Sequence, residues 1–369
     1  MPRSLAQPGA SCLPAGVRAV IAGAAVVLAT CGMSRGEEVP LEDVCLAAGT
    51  CADIGCYATF DTVFLQRSNW AVNQPLAVTG VGDTATPVIS AQDMQFATQP
   101  GVRLIAGEID PCGIGWEVGY LGVWGMFADA TAQDPANISV PDPLATLVPS
   151  LSNASVARTT YASTLNSAEL NIFSHCFDGG YSRVAGEPWR RCSNYCGGSF
   201  DWLAGVRWAS LDESAGIFLS PASRAETSSY TLRSSTNIVG PQVGARGRMN
   251  WDRWAFESWT KLCLGGSAMS QSQPPLYDAF ASPGSPPVRG AQSSSEGGVG
   301  FIADMNFTAV YRLGDSWGLR MGYNLIWLSG VALAPNQFDF GAAPTSGRGL
   351  NGGSTVFLSG ANLGLEKRW

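Results

Sequence analysis

The sequence predicts an all-β fold: a transmembrane, antiparallel up-and-down β-barrel of about ten strands. Three observations predict it. From Val299 to Trp327 the residues alternate, and a short turn at Leu313–Ser316 does not break the phase. Phe301, Met305, Phe307, Tyr311, Trp317, Met321, Tyr323 and Trp327 share one face, while Asp304, Asn306, Arg312, Arg320 and Asn324 share the other. Successive side chains of a strand point to opposite faces, so each arm has an apolar face and a polar one. Second, the arm from Trp317 to Trp327 spans roughly 34 Å at ~3.4 Å per residue. Tilted by about 40°, that is roughly 26 Å of height, close to the ~25 Å apolar band of an outer-membrane barrel. Third, an indole sits at each end of this apolar face, where aromatic girdles meet the two membrane interfaces.

Composition excludes several alternatives. The chain is 46% hydrophobic and only 14% charged, yet has no apolar run of about 18 residues, as a helical span requires. Its 44 glycines and 10% aromatic content fit many strands and turns. A net charge of -7 argues against a nucleic-acid partner.

The N-terminus reads as an export signal over residues 1–36. Arg3 and Arg18 precede the apolar run Ala19–Thr30, which is too short to cross a bilayer. Leu28-Ala29-Thr30-Cys31 has the outline of a lipoprotein box, but Thr30 is a poor residue before a lipidated cysteine. Residues 37–56 form a Cys-rich periplasmic leader, and residues 57–369 the barrel. With Cys12 and Cys31 lost with the signal, Cys45, Cys51, Cys56, Cys112, Cys176, Cys192, Cys196 and Cys263 form an even set in an oxidising compartment, which points to disulfides. Cys176, Cys192 and Cys196 are the leading candidates. The spacing of Cys192 and Cys196 also suits zinc, but the chain has one histidine and no second spaced pair, so neither metal nor cofactor is expected.

The remaining strands follow in order. Tyr57–Arg67 sets Phe60 and Phe64 against Asp61 and Arg67. After a loop over 68–100, Arg103 faces away from Val102 and Leu104. Between Gly115 and Met126, Trp116, Val118, Tyr120 and Trp124 oppose Glu117 and Gly119. The Ala-, Ser- and Pro-rich stretch 128–164 reads as a loop. Leu170 and Ile172 then oppose Glu169 and Asn171, and Trp202, Val206 and Trp208 oppose Gly205 and Arg207. Tyr230 and Leu232 face away from Arg233, and the phase slips at Gly240-Pro241, suggesting a bulge, since proline cannot donate to a ladder. Arg246 and Arg248 continue the polar set. After a strand at Trp254–Leu264 and a Ser/Pro-rich loop over 265–298 comes the hairpin described above. A loop over 334–352 leads to the last strand, where Leu363, Leu365 and Trp369 oppose Glu366 and Arg368. Bacterial barrels have even strand numbers, short periplasmic turns and longer outer loops. Ten strands satisfy this if 229–248 is a single strand; twelve is the alternative, with Gly240-Pro241 as a turn.

These residues resemble the putative beta barrel porin-7 family of outer-membrane proteins. The likeness rests on Arg103 with Gly107, Glu117–Tyr120, Glu169–Asn171, Leu203–Arg207, Asn237 with Gly240–Gly244, the closing Gly364-Leu365-Glu366 with Trp369, and above all Gly330-Val331-Ala332-Leu333-Ala334-Pro335-Asn336-Gln337. It implies an outer-membrane barrel with no catalytic residues to carry over. The expected partners are outer-membrane lipid, the barrel-assembly machinery reached through the strand ending in Trp369, and small solutes or ions.

The expected lumen-facing set is Asp61, Arg67, Arg103, Glu117, Glu169, Asn171, Arg207, Arg233, Arg246, Arg248, Glu257, Lys261, Asp304, Asn306, Arg312, Arg320, Asn324, Glu366 and Arg368. The expected girdle is Trp116, Trp124, Trp202, Trp208, Tyr311, Trp317, Trp327 and Trp369. Two functions stay open: a passive porin tuned by rings of charge, or a non-conducting structural or adhesive barrel whose lumen charges pair with one another. An enzyme is not expected, since His175 is the only histidine and lies near the periplasmic end of its strand.

Overall fold

A computed structural model describes residues 55–80, 84–110, 114–178, 197–221, 227–314, 316–343 and 345–369. Its strands are β1 (Gly55–Arg67), β2 (Pro75–Thr79), β3 (Thr86–Ser90), β4 (Gln99–Ile109), β5 (Ile114–Ser139), β6 (Ala154–Asp178), β7 (Gly197–Pro221), β8 (Ser228–Trp251), β9 (Trp254–Gln273), β10 (Gln292–Arg312), β11 (Trp317–Val331) and β12 (Ser354–Arg368). Each pairs antiparallel with its neighbours. The order 1-4-5-6-7-8-9-10-11-12 closes where Tyr57 of β1 pairs with Arg368 of β12. Ten strands therefore make the barrel, as expected, while β2 and β3 form a small hairpin whose β2 pairs with the far end of β5 at Ser139. β8 is one strand throughout. Its register against β7 is unbroken from Gly197↔Asn250 to Leu219↔Ser228, so the anticipated bulge at Gly240-Pro241 is absent. The ladder to β9 skips those two residues without losing register, because the proline has no N–H to give.

The strands are longer than the sequence suggested. β5 and β6 run through most of 128–164, and β9 and β10 through much of 265–298, both expected as loops. The reason is a change of environment. Up to the level of Trp124, Trp208 and Trp327, the outer face is apolar and easy to recognise. Beyond it the outer face is polar, as at Asp129, Arg158, Asp212 and Arg233, and the inner face is apolar. The phase also slips in β5, first where Gly125 (φ 69°) sits in a bulge between Val123 and Met126 and again between Gln133 and Ile138. A positive φ is cheap only for glycine.

The interior thus has two storeys. Between the girdles it is filled by charged and amide side chains around a small apolar cluster of Tyr57, Ile105, Ile109, Phe173, Leu203 and Trp259. Above the upper girdle lies an apolar core. There Leu65, Leu121, Met126, Tyr161, Ile217 and Leu232 of the walls pack with Leu76, Ile89, Met94 and Phe96 of the β1–β4 connection, Leu144 and Leu151 of the β5–β6 connection, and Leu333, Ala334 and Phe338 of the β11–β12 connection.

Candidate functional site

The lumen is the candidate site, and its lower storey is built by strand parity. The residues that alternate with lipid-facing Phe60, Leu104, Trp116, Val206, Met321 and Leu363 point inward. Among the described residues they form two ion-pair networks. The first runs from Arg103 on β4 to Asp304 on β10 (3.0 Å), then to Arg207 on β7 (3.0 Å) and Glu169 on β6 (3.7 Å). Glu169 pairs with Lys261 of β9, which reaches Glu117 of β5 at 2.7 Å; Arg246 of β8 joins Glu117 (2.9 Å) to Asp201 (2.7 Å). In the second, Arg320 of β11 meets Asp61 (3.2 Å), Glu257 (3.3 Å) and Glu366 (2.9 Å), and Arg248 meets Glu257 (3.1 Å) and Glu366 (3.0 Å); Arg368 also pairs with Glu366. The first network holds four cations and four carboxylates, and the second three of each.

The pairing is close to complete and crosses the barrel from wall to wall. Asn171 and Gln242 knit the first network through hydrogen bonds that their side-chain amides donate to Glu117 and Glu169. Above the second lies an amide ladder in which Asn306 donates to Asn324 (2.8 Å) and Asn324 donates to Asn362 (3.0 Å). Arg103 and Lys261 lie near the ring of Trp259, and Arg246 lies 4.5 Å from that of Phe173. One cavity in this storey, of about 30 Å³, is lined by Tyr57, Thr59, Arg246, Arg248, Glu257 and Glu366; another, of about 10 Å³, lies among Arg103, Glu169, Arg207 and Asp304. Such volumes hold a water or two.

The upper storey is closed by segments of the β11–β12 and β1–β4 connections. β11 ends at a bulge where Gly330 has φ 78°, and a Cβ there would lie 2.1 Å from the Val299 carbonyl oxygen. Only glycine permits that approach. The chain then turns inward, and Val331–Gln337 is buried inside the barrel mouth. Thr236 accepts from the Ala332 N–H and Gln74 donates to the Pro335 carbonyl, and a buried carboxylate adds a further anchor. Glu213 of β7 accepts from Arg67 (2.6 Å), Tyr161 (2.8 Å), Ser163 (3.2 Å) and the backbone N–H of Ala334 (2.9 Å). The Arg67 guanidinium stacks on Phe96 and Tyr161, so one buried pair ties both plugging connections to opposite walls. Higher up, the Tyr230 hydroxyl accepts from Gln273 (2.9 Å) and Arg289 (3.0 Å) and donates to the Asp339 carbonyl (3.1 Å). Burial pushes its phenol above the ordinary value while the Arg289 charge opposes the shift, so it stays neutral at physiological pH.

Of the expected lumen residues, Asp61, Arg67, Arg103, Glu117, Asn171, Arg207, Arg248, Asp304, Asn306, Arg320, Asn324 and Glu366 are buried, and Glu169 and Arg246 are nearly so. Arg312 sits half-buried at the rim, donating to Asn250. Arg233 is a correction. It lies above the upper girdle on the outer face, in water, because there the apolar partners Tyr230 and Leu232 point inward instead. The expected girdle residues Trp116, Trp124, Trp202, Trp208, Trp317, Trp327 and Trp369 are all exposed on the outer wall, and Tyr311 is partly so. Trp124 donates to Asn166 and Trp208 to Asn237, each across to a neighbouring strand.

Sequence reasoning missed Glu213, Asp201, Tyr161 and Trp259. Counting on from Arg207 in twos would have found the first two. The cystine expectation fails at Cys56 and Cys263, whose thiols are free. Cys263 is buried beside Gln242 and Ile302 in the register, and a disulfide needs a second cysteine with its Cα within about 7 Å. The export signal, most of the Cys-rich leader, Cys192, Cys196 and the side chains of His175 and Cys176 lie outside the described residues.

The family described as putative beta barrel porin-7 (BBP7) matches residues 71–354. The chain belongs to this family. As a porin-7 protein it is an outer-membrane barrel. No curated protein matches the sequence. Among solved structures it is similar to the outer membrane protease OmpT from Escherichia coli, at 11% identity and TM-score 0.48, covering 86% of this chain and 98% of that one. It is also similar to a Pseudomonas aeruginosa FadL homologue, at 8% identity and TM-score 0.23, covering 85% and 89%. A third is the P. putida toluene transporter TodX, at 9% identity and TM-score 0.18, covering 85% and 90%.

Proposed function

We propose that this porin-7 protein is a sealed outer-membrane barrel that acts at the cell surface as a structural or adhesive element and does not conduct solutes. The observation that carries this reading is the double closure. A neutral, wall-to-wall ion-pair layer lies between the girdles, and an apolar plug lies above it. An ion-conducting lumen keeps hydrated charge facing a water column, and selectivity needs an excess of one sign. Among the described residues the charges of each network cancel. Opening the layer requires separating several buried pairs, each costing about 3–5 kcal/mol when one partner is removed. We propose no enzymatic activity for it. The family's description favours the other reading, a porin, which would need both storeys to rearrange. Proteoliposome swelling separates the two: the sealed barrel gives no uptake of arabinose above protein-free vesicles, whereas uptake at porin rates would establish the second reading.

A further inference from the structure

The cations of the two lumen networks are paired with carboxylates, but two cations at the short-turn end of the barrel, which we take as the periplasmic rim, are not. Lys367 at the end of β12 points outward and is exposed, as is Arg253 in the β8–β9 turn. Neither makes an ion pair among the described residues; each lies against girdle aromatics instead. The Lys367 ammonium is 5.2 Å from the centre of the Trp317 ring and 5.6 Å from that of Trp369. Arg253 donates to the Tyr311 hydroxyl at 3.5 Å, and Tyr311 packs at 5.0 Å on Trp254. The two positions belong to one rim. Trp317 pairs with Lys367 and Tyr311 with Trp254, while the Arg312 N–H donates to the Arg253 carbonyl. Three strand spacings separate β9 from β12, roughly 14 Å at ~4.8 Å each. Between them Leu313 projects, 60% exposed. Two strands round from β12, beyond β1, β4 carries exposed Glu108 beside Trp116.

We propose that the β9–β12 side of the periplasmic rim binds the phosphodiester headgroups of anionic phospholipid, one at Lys367 and one at Arg253. Indoles and phenols settle at the headgroup level with their apolar bodies toward the acyl chains. A flanking cation whose stem lies along such rings holds its charge at the phosphate plane. A compact ammonium between two ring faces has donors free for phosphate oxygens, and the forked guanidinium beside Tyr311 can bind them in bidentate fashion. The inference rests on the barrel's place in the outer membrane and not on the sealed-lumen reading, so failure of either leaves the other standing.

The test is native mass spectrometry of the full-length protein refolded into mixed phosphatidylglycerol and phosphatidylcholine nanodiscs, then released into mild detergent. The wild type should retain phosphatidylglycerol over phosphatidylcholine by about five-fold per cation. Lys367→Gln and Arg253→Gln should each lose one retained lipid and the double variant both, while Lys367→Arg keeps its lipid. Arg233→Gln, beyond the opposite girdle, should match the wild type. Heat-modifiability on gels establishes that each variant is folded. Equal retention of the two lipids by the wild type, or undiminished retention by the folded double variant, would overturn the proposal. Displacement of the lipid by millimolar glycerol phosphate would also overturn it, assigning the site to a soluble phosphate.

Discussion

The two storeys of the barrel solve the same packing problem with opposite chemistry. Between the girdles the wall faces lipid, so its outer side is apolar and the inner side is left for Arg320, Glu257, Arg207 and Asp304. Above the upper girdle the wall faces water, so Asp129, Arg158 and Arg233 turn outward while Leu65, Ile217 and Leu232 turn in. Strand alternation is the same in both; only the solvent outside has changed. The lower filling depends on matched charges, because an unpaired buried ion is expensive, whereas the upper one depends on shape and apolar area. The two should therefore fail differently.

The sharpest break is in the lower storey. Arg320→Met leaves Asp61, Glu257 and Glu366 without their shared cation and should lower unfolding stability by about 3–5 kcal/mol in urea titrations in detergent. In the upper storey, Glu213→Gln leaves the fully buried Arg67 without its counter-charge and weakens the acceptor for Tyr161 and the Ala334 N–H, and should also cost about 3–5 kcal/mol. Its effect should be local: hydrogen exchange should rise in 331–340 and 96–98 while the amides around Arg320 stay protected. Loss of protection in both storeys together would show that they are one cooperative unit. Next is the lipid face of the strand that carries Arg320. Met321→Arg, close to the midplane, should cost about 2–4 kcal/mol for folding into vesicles. The smallest effect belongs to Arg233→Gln, which should stay within about 0.5 kcal/mol, because that arginine already sits in water. An outward arginine is costly at 321 and neutral at 233, and that contrast measures where the membrane ends.

The membrane storey was legible in the sequence because lipid makes an unbroken apolar row, and Trp317 and Trp327 mark its limits. Arg103, Arg207 and Arg320 could be placed inward from parity alone. What parity could not supply was the partner across the lumen: nothing near Arg103 in the sequence points to Asp304, 201 residues away. The upper storey was misread for a physical reason. Its outer face is Ser, Thr and Ala with scattered charges, the composition of a loop, so 128–164 and much of 265–298 lost their strand signal, and Arg233 was assigned by a rule valid only within lipid. The string Gly330–Gln337 stood out in the sequence through its likeness to the family, but its burial as a plug depends on Gly330's backbone and on Glu213, 121 residues before Ala334.

The central claim is that the lumen is closed in both storeys. Planar-bilayer recording of the refolded, heat-modifiable wild-type protein tests it most directly. The account predicts a baseline indistinguishable from leak in 1 M KCl at either polarity. Reproducible unitary steps from the wild type, abolished by heat denaturation, would contradict it.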